Sequence, residues 1–135
     1  MKIYLAGKWS DKINMRKMMM ELEEIGHTIT HNWTNNETPT RSPQELAYFA
    51  KLDIDGVINA DYVIAYMDDP KYAYRGTFTE IGCAIGCKKR IIIVSPDYDL
   101  TNKDEQPYYS TNCFFHHTQI EHVNSWKLCK SMLAI

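Results

Sequence analysis

Two carboxylates, Asp53 and Glu80, stand where they could do chemistry. Helical spacing over residues 43–59 places Asp53 inside an apolar stripe, so its carboxylate is aimed at the covered face of that helix. The stripe consists of Leu46, Phe49, Ala50 and Val57. Asp55, two positions further on, points elsewhere and is expected to be solvated. Because a charge on a covered face is costly unless it is paired or faces a water-filled pocket, Asp53 is either a satisfied structural carboxylate or a site residue.

Glu80 lies in the segment Gly-Thr-Phe-Thr-Glu-Ile-Gly of residues 76–82, at the predicted start of a helix near Thr77. One interpretation is structural, since Thr77-x-x-Glu80 has the spacing of a capping box. The other is functional: a carboxylate in the first turn of a helix, at the carboxyl end of a parallel sheet, is kept ionised by the helix N-terminus and lies where ligands bind. Gly82 and Gly86 are expected to let this helix approach the sheet closely.

Other chemistries find little support in the residues. The loop at 68–76 matches neither the P-loop nor the dinucleotide fingerprint, so nucleoside triphosphate chemistry is not indicated. On an extended strand, His27 and His31 would stand roughly 13 Å apart, and the neighbours His116 and His117 would face opposite sides. We therefore expect no metal site and no other cofactor.

Strand and helix patterns alternate along the chain. Strands are predicted at residues 3–6, 27–31, 61–66, 90–94 and 120–123, and helices at residues 11–25, at 43–59, from near 77, and after a cap at Ser125 or Asn124. The segments 61–66 and 90–94 are continuously apolar, as in a parallel sheet covered on both faces. The pattern predicts an α/β, doubly wound domain with five parallel strands flanked by helices. Its ligands should bind at the loops beyond the strands' carboxyl ends, at 6–10, 32–42, 67–77 and 95–112.

Composition and charge narrow the class of protein. The 135 residues are expected to form one domain, 1–135. Hydrophobic residues make up 44% of the chain and charged residues 24%, which is typical of globular proteins. The net charge of -2 gives no basic surface for nucleic acid or an anionic membrane, so neither is expected as a partner. No apolar run is long enough for a transmembrane helix or a signal peptide, which predicts a cytoplasmic protein.

Taken together, several segments resemble the nucleoside 2-deoxyribosyltransferase family, which includes related deoxynucleotide N-glycosidases. The segments are Lys-Ile-Tyr-Leu-Ala-Gly at 2–7, Asp-Ile-Asp-Gly-Val-Ile-Asn-Ala-Asp-Tyr-Val-Ile-Ala at 53–65, Gly-Thr-Phe-Thr-Glu-Ile-Gly-Cys-Ala at 76–84, and the strand at 90–94. The resemblance implies a flavodoxin-like or Rossmann-like domain. It also implies a homodimer or higher homo-oligomer whose active sites are completed by a neighbouring subunit.

The resemblance also assigns roles to individual residues. It makes Glu80 the nucleophile that attacks the anomeric carbon of the sugar, Asp53 the group that assists proton transfer to the base, and Tyr4 the residue that orients the nucleophile. Trp9 falls where an aromatic residue near the base would be useful, although a core or surface tryptophan fits the pattern nearly as well. Further substrate-binding residues are expected at Gly7, Gly76 and Thr77.

The subsite for the 5′ group of the sugar departs from the family pattern. Family members have an acidic residue or a serine six positions before the nucleophile, whereas this chain has Tyr74 followed by Arg75. Arg75, together with the free N–H groups of the helix start, could meet a phosphate, and Tyr74 could instead donate its phenol to a 5′-hydroxyl. Ser110 and Asn112 lie in the region from which family members contact the neighbouring subunit's substrate.

The resulting functional hypothesis is an enzyme that cleaves the N-glycosidic bond of 2′-deoxyribonucleosides or their 5′-monophosphates. A covalent glutamyl–sugar intermediate would pass the deoxyribose to another base or to water. The alternatives are a pure deoxynucleotide N-hydrolase and, in a different class, a nucleotide-binding or sensing module without turnover. A sensing module would bind nucleotides yet release no free base.

Overall fold

All strands in the described part of the chain run parallel within one sheet. The computed structural model describes residues 1–36, 42–99, 101–102 and 104–134. The strands are β1 (Lys2–Ala6), β2 (Thr28–Ile29), β3 (Tyr62–Tyr66), β4 (Arg90–Val94) and β5 (Ile120–Val123), in the order β2-β1-β3-β4-β5. This order changes direction between β1 and β3, which is the switch point of a flavodoxin-like sheet. The predicted α/β fold with five parallel strands is confirmed.

Four α-helices flank the sheet in the described residues: α1 (Lys12–Glu24), α2 (Pro43–Ile58), α3 (Arg75–Gly86) and α4 (Trp126–Leu133). The core lies between them and the sheet, where β3 and β4 are almost entirely buried. Burial on both faces explains their continuous apolar sequences. None of the helices in the described ranges is long and apolar enough to cross a membrane.

Strand β2 is shorter than the predicted 27–31. Its register pairs only Thr28 and Ile29 with β1. His27, placed before the strand, is buried, and its Nε2 bonds the Leu133 carbonyl at 2.7 Å. The β-branched alternation therefore predicted the strand correctly but not its length. As an edge strand, β2 pairs with β1 on one side only, and its backbone pairing ends after two residues.

Helix α2 begins as predicted, with Ser42 as N-cap and a capping box closed by Glu45. The predicted apolar stripe is only partly covered, because Leu46 is 51% exposed and Ala50 is also exposed. Close packing is confined to the C-terminal half of α2, where Gly56 and Val57 are buried.

Gly56 allows the closest approach of α2 to β1. A Cβ at this position would lie 2.8 Å from Tyr4 Cδ2 and 2.9 Å from His31 Cβ. By contrast, a Cβ at Gly82 or Gly86 would meet no atom within 4 Å. The expectation that Gly82 and Gly86 permit close packing of α3 is wrong, and Gly56 is the glycine that a neighbouring ring requires.

Candidate active site

A pocket of about 190 Å³ opens where β1 ends, between α2 and α3. This is the switch point of the sheet, where ligands of such folds bind. Its lining combines two carboxylates with several aromatic rings and small polar groups. The lining residues are Tyr4, Gly7, Trp9, Trp33, Asn36, Phe49, Asp53, Tyr72, Tyr74, Gly76, Thr77 and Glu80.

Three elements bring Tyr4, Asp53 and Glu80 together in this pocket. The Tyr4 hydroxyl on β1 donates a hydrogen bond to Glu80 Oε2 on α3. Asp53 on α2 is a second carboxyl group that interacts with the same hydroxyl. Because Tyr4 is only 1% exposed, the packing of β1 holds its ring in place, with the hydroxyl towards the two carboxyl groups.

Burial controls the protonation of this cluster. Desolvation raises the pKa of Glu80 from 4.5 to about 8; the hydrogen bond from Tyr4 acts in the opposite direction, and the charge of Asp53 adds to the increase. The pKa of Tyr4 is raised too, first by burial and then by the charges of Glu80 and Asp53. The Tyr4 hydroxyl therefore remains a hydrogen-bond donor.

The local environment of Glu80 differs from both sequence interpretations. Helix α3 begins at Arg75, after Tyr74 in the left-handed conformation (φ 53°), so Glu80 is its sixth residue. Thr77 forms no capping box with Glu80, and its hydroxyl instead contacts the Gly7 carbonyl at 3.4 Å. The expectation that the helix start keeps Glu80 ionised is wrong, because loss of water outweighs a helix dipole one turn away.

His31 is a neighbour of Asp53 that the sequence considered only as a metal ligand. Its Nε2 lies 3.5 Å from Asp53 Oδ1, and both side chains are largely shielded from solvent. His31 follows β2 at the carboxyl edge of the sheet, and this position was the signal that could have marked it.

Tyr74 lines the pocket, but its hydroxyl already has structural partners. It accepts hydrogen bonds from the backbone N–H groups of Asp68 and Asp69, at 3.1 and 3.0 Å. Its ring packs edge-on against Tyr72 and Tyr109. Tyr74 therefore anchors the loop between β3 and α3.

Among the other predicted site residues, Gly7, Trp9, Gly76 and Thr77 line the pocket. Arg75 does not: it lies in a separate shallow groove together with Asn112 and Phe114. Ser110 also lies outside the pocket, and its hydroxyl donates to the Pro107 carbonyl at 2.7 Å.

The aromatic part of the pocket was largely missed from the sequence. Trp33 packs beside Trp9 with ring centroids 6.1 Å apart, and its indole N–H donates to the Leu5 carbonyl at 2.7 Å. Tyr72 and Asn36 complete this side. These four lining residues belong to the loops predicted to bind ligands. Loop position alone, however, does not show which side chains turn into the pocket.

A larger recess of about 630 Å³ lies beside β5, lined among others by Tyr98, Asp99, His116 and His122. Asp99 is the one carboxylate among the described residues that line this recess, so the chemistry points to the smaller pocket. No group of three or more His, Cys, Asp or Glu within the described residues is arranged to hold a metal ion.

The family model described as nucleoside 2-deoxyribosyltransferase matches residues 3–124, a range that contains Tyr4, Asp53 and Glu80. The chain belongs to this family. Family membership makes it an enzyme of the deoxyribosyltransferase and N-glycosidase kind. Among curated proteins, none matches the chain significantly.

Several solved structures share the fold of the chain. A CMP N-glycosidase from Clostridium botulinum is 24% identical with a TM-score of 0.61, and the match covers 98% of each chain. A 2-deoxyribosyltransferase from Bacillus psychrosaccharolyticus is 20% identical with a TM-score of 0.64, covering 100% of this chain and 97% of the other. A 2-deoxyribosyltransferase from Leishmania mexicana is 15% identical with a TM-score of 0.65, covering 98% and 96%.

Proposed function

We propose that the chain cleaves the N-glycosidic bond of 2′-deoxyribonucleosides or their 5′-monophosphates through a covalent ester between Glu80 and the sugar. The observation that carries this proposal is the contact of Glu80 with Tyr4, beside Asp53, in a pocket at the switch point. A nucleophilic carboxylate next to a proton-carrying group is what retaining glycosyl transfer requires.

In the first step, ionised Glu80 attacks the anomeric carbon while the bond from that carbon to the base nitrogen breaks. The bonding electrons leave with the base, and protonated Asp53 gives the base its proton. Tyr4 donates to the Glu80 oxygen and holds it in the attacking orientation. In the second step, a base nitrogen or a water oxygen attacks the anomeric carbon, the ester bond breaks, and Asp53 accepts the proton of the attacking group.

The electrostatics of the pocket suit this division of roles. Two carboxyl groups that face one buried hydroxyl cannot both be ionised cheaply, so the cluster retains a proton near neutral pH. Burial raises the pKa of Glu80 to about 8, and the charge of Asp53 adds to this increase. Transfer of the proton to Asp53, assisted by substrate binding, creates the nucleophile and the acid together.

The pocket in one chain would enclose a nucleoside only partly. Its 190 Å³ is below the roughly 300–1,000 Å³ typical of sites for drug-sized ligands. We propose that residues 1–135 act as one catalytic domain within a homo-oligomer, and that Ser110 and Asn112 reach the site of a neighbouring subunit. Trp9, whose ring is 36% exposed at the pocket, would stack on the base.

Transfer to water is the second candidate reaction. The similarity to an N-glycosidase that acts on CMP supports it. Hydrolysis needs the same Glu80 ester, and only the second attacking group differs.

The test is incubation with a panel of nucleosides and monophosphates, with and without a free acceptor base, followed by chromatography. Base exchange without net release would establish a transferase, and release alone would establish a hydrolase. A Glu80→Gln control must abolish either activity. Tight binding of a nucleotide with no release or exchange across the panel would contradict the proposal and favour a sensing module.

A further inference from the structure

Among the described residues that line the pocket, none carries a cation for a 5′-phosphate. Among its lining residues in the described part of the chain, the charged side chains are the carboxylates of Asp53 and Glu80. A phosphate that entered this surrounding would be repelled unless a cation compensated its charge. Arg75, the residue expected for this role, lies in the groove with Asn112.

Lys8 is a cation at the edge of the pocket. It stands in sequence between Gly7 and Trp9, which both line the pocket, and its Nζ lies 4.9 Å from the ring centroid of Tyr72, another lining residue. The Lys8 side chain is only 26% exposed. Lys8 itself lines the neighbouring recess, and its ammonium group lies at the boundary between that recess and the ring of Tyr72.

The Lys8 ammonium group forms an ion pair with Asp69. Asp69 Oδ2 is 2.6 Å from Lys8 Nζ, and Oδ1 accepts the backbone N–H of Lys71 at 3.0 Å. The far side of Lys8 is an acidic recess that also contains Asp11 and Asp68. A phosphate is excluded from that recess by like charge, so it must approach Lys8 from the side of Tyr72.

The start of α3 favours an anion on that same side. Gly76 and Thr77 belong to its first turn and line the pocket, and no side chain of the described residues caps this helix end. The Thr77 hydroxyl contacts the carbonyl of Gly7, the residue before Lys8. The helix start, with its partial positive charge, therefore contacts the backbone next to Lys8.

We propose that the Lys8–Asp69 ion pair selects between a 5′-hydroxyl and a 5′-phosphate on the substrate, with Lys8 as the phosphate ligand and Asp69 as its internal competitor. This inference rests on the proposed function for the identity of the sugar. A 5′-monophosphate displaces Asp69 and bonds Lys8. A nucleoside leaves the pair intact and gains nothing from Lys8. The substrate class that binds with the help of this pair is therefore the nucleoside 5′-monophosphate.

The experiment measures equilibrium binding of 2-deoxyribose 5-phosphate and of 2-deoxyribose by titration calorimetry, so no turnover and no choice of base is needed. Lys8→Ala should weaken binding of the sugar phosphate about tenfold to a hundredfold, the usual weight of a charge-assisted contact, and leave 2-deoxyribose unchanged. Asp69→Asn should strengthen binding of the sugar phosphate up to about fivefold, because a partly exposed ion pair no longer competes. Lys8→Arg should keep the phosphate preference.

The matched controls come from an ion pair on α2, Lys51–Asp55, with a 2.8 Å contact and no part in the pocket. Lys51→Ala and Asp55→Asn remove the same charges and should bind both sugars like the wild type. The proposal is overturned if Lys8→Ala binds the sugar phosphate as the wild type does, or if the wild type shows no preference for the phosphate. Absence of base release from every substrate would refute the proposed reaction and leave this binding result unaffected.

Discussion

Replacing Glu80 with glutamine should separate the role of this residue in catalysis from the effect of its buried carboxyl group on the stability of the fold. Gln keeps the shape of the side chain and can still accept the Tyr4 hydrogen bond, but it cannot form the ester. We expect turnover to fall at least about a thousandfold, because the amide is not a nucleophile. The fold should persist, since the residue lines a pocket rather than the core.

The same substitution should change how stability depends on pH. The native state holds the Glu80 proton up to about pH 8, whereas the unfolded chain releases it near pH 4.5. Wild-type stability contributed by this group is therefore present at low pH and is lost as the pH rises between these values. The pKa difference corresponds to at most about 5 kcal/mol, and because water enters the pocket we expect roughly 2 kcal/mol.

Thermal unfolding of both proteins from about pH 5 to pH 8.5 provides the measurement. The Tm of Glu80→Gln relative to wild type should rise by about 7 °C across this range, because the variant has no proton to lose. A constant Tm difference would show that Glu80 is already ionised in the folded protein. A near-normal turnover rate would remove Glu80 from the mechanism.

Five further substitutions, two of them controls, test the geometry around the pocket. Asp53→Asn should lower turnover at least about a hundredfold and Asp55→Asn hardly at all, since only Asp53 faces Tyr4; equal steady-state rates in the two variants would contradict this. Gly56→Ala should lose about 1–2 kcal/mol in urea unfolding, because its Cβ would meet Tyr4 and His31, whereas Gly82→Ala in open space should gain up to about 1 kcal/mol. His31→Ala should lower kcat about fivefold with little change in KM, because His31 supports Asp53 from 3.5 Å without lining the pocket; a large KM change would instead indicate substrate contact.

The sequence by itself determined the order of the strands and helices in this protein. Continuous apolar segments at β3 and β4, the Ser42 cap of α2 and the Gly26 stop of α1, with φ 100°, are local signals, and each was confirmed. Such signals depend on backbone propensity and on periodicity over neighbouring residues, so they can be read along the chain. The resemblance to the family rested on four short segments of specific residues, and the family model that matches residues 3–124 confirmed it.

Tertiary structure decided which side chains share the pocket and what charge they carry. Tyr4 and Glu80 are 76 positions apart in sequence, and their hydrogen bond exists only because β1 and α3 meet at the switch point. The raised pKa of Glu80 comes from water removed by several elements at once, so the local helix pattern predicted the opposite sign. The same reason explains why Lys8 is proposed as the phosphate ligand although the sequence suggested Arg75. The interaction between charges depends on their distance in space, and sequence spacing alone does not supply that distance.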